Sequence, residues 1–428
     1  MRRISKWAAG LVLSTVLMGA PAAVQAAPTG ASLSVVPSPL PAVHSARVDK
    51  VRIRWDFYKD AVRYRLDIWD SMQKKRLLRS NEWVSLPGRE IDISSFRRDA
   101  ALSMDALAWT VTPLDRRGRA LTAPSSPKLL KDAEIRPEAP QPVCQYDVME
   151  EAPLYLVYAW LAVPETSSYE VEVWRKGDNG GMDERVRHLY TYENILYDEI
   201  AMTRAGRYEW RVRALDGNGR RFSEWSEPQS FVVHGSVKYA ALGDSITHGG
   251  GAISTPPCIL LYNWETYAEG LTVKNLGFSG NTTMDMLLRF ERDVLPFSPK
   301  VLVIMGGVND FREGDYGSAI VKNLAQLRDK CLLYGITPVF VTATPIRPSY
   351  MAEMEGIGWP SSDWKSGQET VNTWVRQQPY FVDITAPLTD AIGELRGDYT
   401  SDGLHPDAEA KQIIGESIGR YLREHFER

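Results

Sequence analysis

The sequence predicts a multidomain protein in which two β-sandwich modules precede an α/β domain with a parallel sheet. Three observations support this prediction. The chain has 428 residues, more than one ordinary hydrophobic core accommodates. Residues 47–234 contain one pattern of aromatic residues twice. From residue 235 onward, apolar runs of strand length alternate with amphipathic helical patterns.

The composition is that of a folded protein with balanced charge. Hydrophobic residues make up 44% and charged residues 24% of the chain, which argues against wholesale disorder. The 50 Lys and Arg residues against 54 Asp and Glu residues give a formal net charge of −4. A chain with this balance has no basic field to hold a phosphate backbone, so we expect no nucleic-acid partner.

Residues 1–26 have the pattern of a signal peptide. Arg2, Arg3 and Lys6 precede an apolar run, and Val24-Gln25-Ala26 then offers small residues to a signal peptidase. The apolar run is shorter than the roughly 20 residues of a membrane span, although an uncleaved membrane anchor is the alternative. No Cys follows it, which argues against a lipid-anchored lipoprotein. We expect an exported protein, periplasmic or extracellular, without stable membrane insertion, and a flexible linker at 27–46.

Three cysteines occur: Cys144, Cys258 and Cys331. They form no C-x-x-C motif and no Cys/His cluster, so we expect no structural zinc site. In an exported protein they allow one disulfide and one free thiol, with Cys258–Cys331 as the natural pair. Three buried thiols are an equal alternative.

The repeat consists of two sets of matched positions. Trp55, Tyr64 and Trp69 recur with the same intervals as Trp160, Tyr169 and Trp174. Trp109, Asp115, Gly118 and Pro127 recur in the same way as Trp210, Asp216, Gly219 and Pro228. Apolar and polar residues alternate after Tyr64 and Tyr169, as they do in half-buried strands, and the Asp-to-Gly tetrads are typical of turns.

With this pattern, residues 47–130 and 143–234 resemble fibronectin type III or related immunoglobulin-like β-sandwiches, joined by a linker at 131–142. We expect the matched Trp and Tyr side chains to be core anchors. The modules would act as spacers, as substrate-binding appendages or as cradles packed against the C-terminal domain. Trp83, Tyr190 and Trp225 have no match, and they are the candidates for a sugar contact.

In residues 235–428, the pattern predicts strands at Lys238–Gly243, Val273–Leu276, Lys300–Met305, Pro338–Thr342 and Tyr380–Ile384. It predicts helices at Thr283–Leu295, Ser318–Tyr334, Gln368–Gln377 and Ala408–Phe426. Such alternation implies a parallel sheet with helices on both faces. Functional residues should then follow the carboxyl ends of the strands.

Four short blocks stand at those positions. They are Gly243-Asp244-Ser245-Ile246-Thr247, Gly277-Phe278-Ser279-Gly280-Asn281-Thr282, Gly306-Gly307-Val308-Asn309-Asp310 and Asp402-Gly403-Leu404-His405-Pro406. The first is not the G-x-S-x-G elbow of α/β-hydrolases, because Thr247 replaces the last Gly. In this order, the four blocks closely resemble those of the SGNH (GDSL) hydrolase superfamily. The resemblance covers residues 238–428 of the predicted domain at 235–428.

This resemblance implies a flavodoxin-like three-layer α/β/α fold that hydrolyses esters, thioesters or amides with no cofactor or metal. It implies a catalytic triad of Ser245, Asp402 and His405, and an oxyanion hole made by Ser245, Gly280 and Asn309. The chemistry of these residue types agrees. A serine hydroxyl needs an imidazole to take its proton, and a carboxylate fixes the tautomer of that imidazole. Backbone N–H groups and an amide side chain stabilise the negative charge on a carbonyl oxygen.

Further residues near the blocks have expected supporting roles. We expect Asp244 and Asp310 to brace loops, and His248 to be a loop or pocket-wall residue. The long connection at 345–366 carries Trp359 and Trp364. These two side chains either stack on sugar rings or pack the connection onto the domain.

The sequence thus predicts an exported serine esterase that removes acyl groups, most economically acetyl groups, from a polysaccharide or a small-molecule ester. A lysophospholipase, a thioesterase or a general short-chain esterase is the alternative among enzymes. An acyltransferase would use the same acyl-enzyme. From another class, a carbohydrate-binding protein with an inactive hydrolase domain is the competing interpretation, and the oligomeric state is left open.

Overall fold

The computed structural model describes residues 49–58, 60–79, 84–135, 139–177, 183–252 and 255–427. The predicted signal peptide at 1–26 and the predicted linker at 27–46 lie outside these residues, as does Trp83. Within the described ranges, no helix has both the length and the apolar character needed to cross a bilayer.

The first module consists of two antiparallel sheets. Its elements are β1 (Lys50–Arg54), β2 (Arg63–Asp70), β3 (Lys75–Arg79), β4 (Gly88–Asp92), α1 (Ser94–Arg98), β5 (Leu107–Leu114), β6 (Lys128–Leu129) and β7 (Glu134–Ile135). The sheet orders are β4-β1-β7 and β3-β2-β5-β6. Because β7 pairs with β1, the segment that the sequence suggested as a linker at 131–142 adds a strand to this module.

The second module has the same two-sheet arrangement. Its strands are β8 (Val157–Ala159), β9 (Ser168–Arg175), β10 (Glu184–Thr191), β11 (Ile195–Tyr197), β12 (Gly206–Leu215) and β13 (Gln229–Val233). They form the sheets β10-β9-β12-β13 and β11-β8. Trp160, Tyr169 and Trp210 are buried in its core, as expected for matched anchors. These sheets are compatible with β-sandwich modules.

The expectation that every matched aromatic is a core anchor is wrong for Trp69 and Trp174. Side chains alternate along a strand, and Tyr64, Leu66 and Ile68 take the buried phase of β2. Trp69 therefore lies on the opposite face, half-buried, and its indole N–H donates to Thr110 Oγ1 at 2.9 Å. Trp174 is also half-buried, and its indole N–H donates to Glu172 Oε2 at 3.1 Å.

The C-terminal domain is built on a five-stranded parallel sheet. Its elements are β14 (Tyr239–Gly243), α2 (Ser245–His248), β15 (Val273–Gly277), α3 (Thr283–Val294), β16 (Val301–Met305), α4 (Val308–Glu313), α5 (Gly317–Leu333), β17 (Thr337–Val341), α6 (Pro348–Met351), α7 (Trp364–Arg376), β18 (Phe381–Val382), α8 (Thr385–Leu388) and α9 (Ala408–Phe426). The strand order β15-β14-β16-β17-β18 is that of flavodoxin-like sheets. The alternation of strands and helices is consistent with an α/β/α fold.

The register of the sheet brings its functional ends together. Gly243, the last residue of β14, pairs with Gly277 of β15 and with Met305 of β16. Both β14 and β16 are buried along their whole length, as expected for central strands of a parallel sheet. The residues that follow these three strands therefore emerge at one edge of the sheet.

The three cysteines are buried and unpaired. Cys331 lies in α5, whereas Cys258 lies beside the second module, where its carbonyl oxygen accepts from Gln145 N at 3.2 Å. The Cys258–Cys331 disulfide considered from the sequence is therefore wrong, and the alternative of three buried thiols is confirmed.

Candidate active site

Ser245 is the first residue of α2, directly after β14. Asp244 precedes it as the N-cap, and its carboxylate accepts from Ile246 N at 2.9 Å. This contact is the bracing role expected for Asp244. Burial raises the pKa of Asp244 to about 6, against the lowering effect of that hydrogen bond. Asp310, which follows β16, also has a bracing role. Its carboxylate accepts from Thr283 N, at the start of α3, at 3.0 Å.

Ser245, His405 and Asp402 form one line of hydrogen bonds. His405 Nε2 lies 3.0 Å from Ser245 Oγ, and His405 Nδ1 lies 2.7 Å from Asp402 Oδ2. Since a carboxylate only accepts, Nδ1 carries the proton and Nε2 of the neutral ring accepts from the serine hydroxyl. This arrangement can deprotonate Ser245 as it attacks a carbonyl carbon.

Asp402 is fully buried, yet it stays ionised. Burial acts to raise the pKa of Asp402, but the nearby His405 and several hydrogen bonds outweigh it and hold the pKa below its usual value. Asp402 Oδ1 accepts the backbone N–H groups of Leu404 and His405, at 2.9 and 2.8 Å. The carboxylate is therefore fixed in place before any substrate binds.

Gly280 and Asn309 stand after β15 and β16. Gly280 has a φ of 84° and is exposed in a turn, where Asn281 N donates to Phe278 O at 3.2 Å. Asn309 is buried in α4, and its Nδ2 donates to Asn281 O at 2.9 Å. Within the described part of the chain, the second N–H of this amide makes no hydrogen bond and is available to a substrate oxygen.

Three buried cations support this edge, and the sequence patterns pointed to none of them. Arg312 Nε donates to Asn309 Oδ1 at 3.2 Å, which fixes the orientation of the amide. Arg289 donates to Asn281 Oδ1 at 2.5 Å and to Gly243 O at 2.9 Å. Lys411 of α9 donates to the carbonyl oxygen of Ile246, the residue after Ser245, and burial lowers the pKa of Lys411 to about 8. Arg312 lies three residues after Asn309, and that helical spacing is the signal that would have identified it.

His248, expected from the sequence to be a loop or pocket-wall residue, is the last residue of α2. It is buried, with Nε2 2.8 Å from Tyr155 O and Nδ1 2.9 Å from Ser279 Oγ. Desolvation lowers its pKa to about 4, so the ring is neutral at physiological pH. His248 therefore connects Tyr155, two residues before β8 of the second module, to the loop that carries Gly280.

The two tryptophans of the 345–366 connection differ in exposure. Trp364 is buried and packs against Phe311, so it serves packing. Trp359 is 74% exposed. Two residues after it, Ser361 N donates to the carbonyl oxygen of Arg312 at 2.7 Å, which ties this part of the connection to the helix that carries Asn309.

The sandwich aromatics named as sugar-contact candidates have separate environments. The Trp225 ring contacts the guanidinium groups of Arg211 and Arg213, each 4.4 Å from its centre, while Tyr190 is exposed. In the described ranges, Glu170, Glu172 and His188 have the spacing of possible metal ligands. The two carboxylates already pair with Arg213 and Arg211 on the same sheet face, so ion pairs account for the cluster.

Comparison with known proteins agrees with this architecture. Residues 241–413 match the model of the GDSL-like lipase/acylhydrolase family. Residues 163–234 match the Rha78A-like, N-terminal immunoglobulin domain. These matches identify an immunoglobulin-like domain followed by a GDSL-like lipase/acylhydrolase domain. The chain thus carries a domain of an ester-hydrolysing family.

Individual relatives cover only part of the chain. A curated relative, the uncharacterized lipoprotein YqeF of Bacillus subtilis (strain 168), is 38% identical over 82 residues, which are 18% of this chain and 34% of that protein. The chain thus matches about a third of the length of that relative.

Two solved structures illustrate the structural likeness. The lipase/acylhydrolase from Enterococcus faecalis is 21% identical, covers 44% of this chain and 96% of its own, and has a TM-score of 0.36. A catalytic mutant of Axe2, an acetylxylan esterase from Geobacillus stearothermophilus, is 21% identical, covers 44% and 95%, and has a TM-score of 0.34.

Proposed function

We propose that this protein is an exported serine esterase that cleaves small acyl esters, most economically acetyl esters, on a carbohydrate polymer. The observation that carries the catalytic part is the line of hydrogen bonds from Asp402 through His405 to Ser245. In this proposal Ser245 is the nucleophile, His405 the base and Asp402 the residue that orients the base.

The proposed reaction has two steps, acylation of Ser245 and hydrolysis of the acyl-serine. Ser245 Oγ attacks the ester carbonyl carbon while His405 Nε2 takes the hydroxyl proton. The backbone N–H groups of Ser245 and Gly280, with the free N–H of Asn309, stabilise the negative charge on the carbonyl oxygen. His405 then protonates the departing alcohol oxygen, which leaves an acyl-serine. A water molecule, deprotonated by His405, then attacks the acyl carbon. The bond to Ser245 Oγ breaks, His405 returns the proton to that oxygen, and the acid is released.

The proposed carbohydrate substrate is supported by Trp359. Its side chain is largely exposed, and it stands two residues before Ser361, whose N–H donates to Arg312 O of α4, the helix of Asn309. Aromatic rings of this kind stack on the apolar faces of sugars. The proposed export is supported by the pattern of residues 1–26 and by the curated relative described as a lipoprotein, a class of exported protein.

The test of the activity is hydrolysis of p-nitrophenyl esters from acetate to palmitate by the mature protein. We expect rapid cleavage of the acetate, a steep fall with chain length, and loss of activity in Ser245→Ala. Ser318→Ala, an exposed serine in the first turn of α5, is the matched control and should keep full activity. Preference for long chains would move the assignment to lipids, and inactivity of the folded protein on every ester would contradict it.

The test of the carbohydrate proposal is Trp359→Ala, assayed on acetylated oligosaccharides and on p-nitrophenyl acetate. Loss of a stacking contact should raise KM for the oligosaccharide by up to about tenfold, since such contacts contribute roughly 0.5–1.5 kcal/mol. The KM for p-nitrophenyl acetate should stay the same, because it has no sugar ring. Equal effects on both substrates would contradict the sugar-contact role.

A further inference from the structure

The segment at 151–157 lies between the second sandwich and β15, the edge strand of the parallel sheet. Ala152 N donates to Val232 O of β13 at 2.9 Å, whereas Leu154 N donates to Asn275 O of β15 at 2.8 Å. Leu154 O in turn accepts from Met202 N at 2.8 Å. The segment is buried throughout, so it belongs equally to the sandwich and to the C-terminal domain.

Tyr155, at the centre of this segment, is fixed by contacts on several sides. Its hydroxyl donates to Asp293 Oδ2 at 2.6 Å and accepts from Arg292 Nη2 at 2.8 Å. Its ring meets Phe278 edge to face, with centroids 4.6 Å apart. Because both the hydroxyl and the ring of Tyr155 are fixed, its backbone carbonyl has a defined position beside His248.

That carbonyl determines which ring nitrogen of His248 carries the proton. A carbonyl oxygen only accepts, so His248 Nε2 carries the proton and donates to Tyr155 O at 2.8 Å. His248 is neutral, and its Nδ1 must therefore accept the hydroxyl proton of Ser279 at 2.9 Å. Ser279 thus has one defined hydroxyl direction.

Gly280 depends on its neighbours for its orientation. A Cβ added to its Cα would meet no atom within 4 Å, so no packing holds this residue from that side. The peptide plane that contains the Gly280 N–H also contains the carbonyl of Ser279. A rotation of the Ser279 backbone therefore changes the direction of that N–H. On the other side, Asn309 and Arg289 hold Asn281.

We propose that Tyr155 positions the Gly280 N–H through His248 and Ser279, so that the segment attached to the second sandwich sets one donor of the oxyanion hole. This inference rests on the proposed esterase function. It assigns the second module a part in catalysis rather than in substrate attachment, and it makes His248 and Ser279 positioning residues that never touch the substrate.

The test uses Ser279→Ala in the full-length mature protein, with Ser279→Thr as the conservative variant. Loss of the hydroxyl removes the hydrogen bond from Ser279 to His248 Nδ1. This loss should lower kcat for p-nitrophenyl acetate about tenfold, with KM unchanged. Ser279→Thr should recover most of the loss, because it restores the donor to His248 Nδ1. Unchanged kcat in Ser279→Ala would overturn the proposal.

A second measurement separates this inference from the proposed function. Amide hydrogen exchange of the peptide at 277–282 is compared between Ser245→Ala and Ser245→Ala/Ser279→Ala, neither of which needs to be active. We expect at least fivefold faster exchange in the double variant, and equal exchange would overturn the positioning role. Failure of the wild type to cleave any ester would instead contradict the esterase assignment. The exchange result would then still show whether the Ser279 hydroxyl holds the loop at 277–282.

Discussion

Asn309 shows how one side chain depends on several others. Its Oδ1 accepts from Arg312 and one N–H goes to Asn281 O, so the amide cannot rotate and the remaining N–H keeps its direction. Preorganised donors of this kind need no rearrangement when charge develops on the substrate. In the proposed oxyanion hole, the fixed orientation of Asn309 would therefore matter as much as its hydrogen-bonding capacity.

Asn309→Ala should lower kcat by about 10²–10³, the usual loss for one oxyanion donor, while the protein still folds. The reason is that the substrate oxygen loses a charge-stabilising N–H. Steady-state kinetics on p-nitrophenyl acetate, with thermal melting as the folding control, provide the measurement. A tenfold or smaller loss in a folded variant would argue against Asn309 as a donor.

His248 should make stability depend on pH between about 6.5 and 4. Burial lowers its folded-state pKa from 6.5 to about 4, so in this window the unfolded chain binds a proton that the folded chain does not. The free energy of unfolding contributed by this group therefore falls as pH decreases, by up to about 3 kcal/mol.

The measurement is urea denaturation of the wild type and His248→Gln at pH 7, 5.5 and 4. His248→Gln keeps a side-chain N–H for Tyr155 O but cannot take up a proton. The difference in unfolding free energy between the two proteins should shrink or reverse as pH falls. Curves that stay parallel over this range would rule out protonation of His248 as their cause.

The residues directly after the strands were predictable from the sequence, because strand ends and motif order identify them. The structure brings Ser245, Asp402 and His405 into hydrogen-bonding contact, as the motifs suggested. Lys411 and Tyr155 were not predictable. Each reaches the site from a distant element, and no local pattern records which side chains will meet after folding.

At the scale of elements, the strands of the parallel sheet agree with the sequence to within one or two residues, apart from the shorter β18. Continuous apolar runs between turns leave little ambiguity about a buried strand. The 345–366 connection was less predictable, since it contains the four-residue helix α6 and the first turn of α7. A helix of one turn shows no periodicity, so no sequence pattern indicates α6.

The turn at 402–405 depends on Gly403, whose φ is 85°. A Cβ at this position would overlap the carbonyl oxygen of Arg347 and the backbone N of Met351. Gly403→Ala should therefore destabilise the protein by about 3 kcal/mol and lower kcat, because Asp402 and His405 lie on either side. The measurement is urea denaturation together with kinetics.

The matched control for this change is Gly393→Ala. Gly393 has a similar φ of 78°, but a Cβ there would meet nothing within 4 Å. The control therefore carries backbone strain alone and should cost about 1 kcal/mol. Equal losses in the two variants would show that the overlap with Arg347 has no effect on the turn.

At the scale of the whole molecule, both sandwiches contact the C-terminal domain near its candidate active site. The turn of the first module places Arg116 over the ring of Tyr350, 3.3 Å from its centre, and pairs it with Glu353 at 2.5 Å. This contact borders α6, which packs against Gly403. The repeat pattern predicted two sandwiches, but it could not predict these contacts, because surface charges such as Arg116 have no period.

A buried ion pair joins the second sandwich to the sheet. Lys274 of β15 is fully buried and donates to Glu151, whose other oxygen accepts from His234 Nδ1 at 2.6 Å. Glu151→Gln should lower the free energy of unfolding by about 3–5 kcal/mol, since it leaves a buried cation without its counter-charge. Urea denaturation measures this loss.

The double variant Glu151→Leu/Lys274→Met is the partner of that experiment. Replacement of both charges by apolar groups removes the unpaired cation as well, so most of the lost stability should return. A double variant no more stable than Glu151→Gln would indicate that hydrogen bonds to Ala152 and His234, rather than charge pairing, hold the junction.

The cover that Leu154 provides for β15 has a consequence for solubility. An uncovered edge strand offers unpaired N–H and C=O groups to other chains. Leu154 N, in a segment that Val232 holds, donates to Asn275 O of β15 and so occupies that edge from within the same chain. The segment attached to the second module thus protects the sheet that follows it against pairing with other molecules.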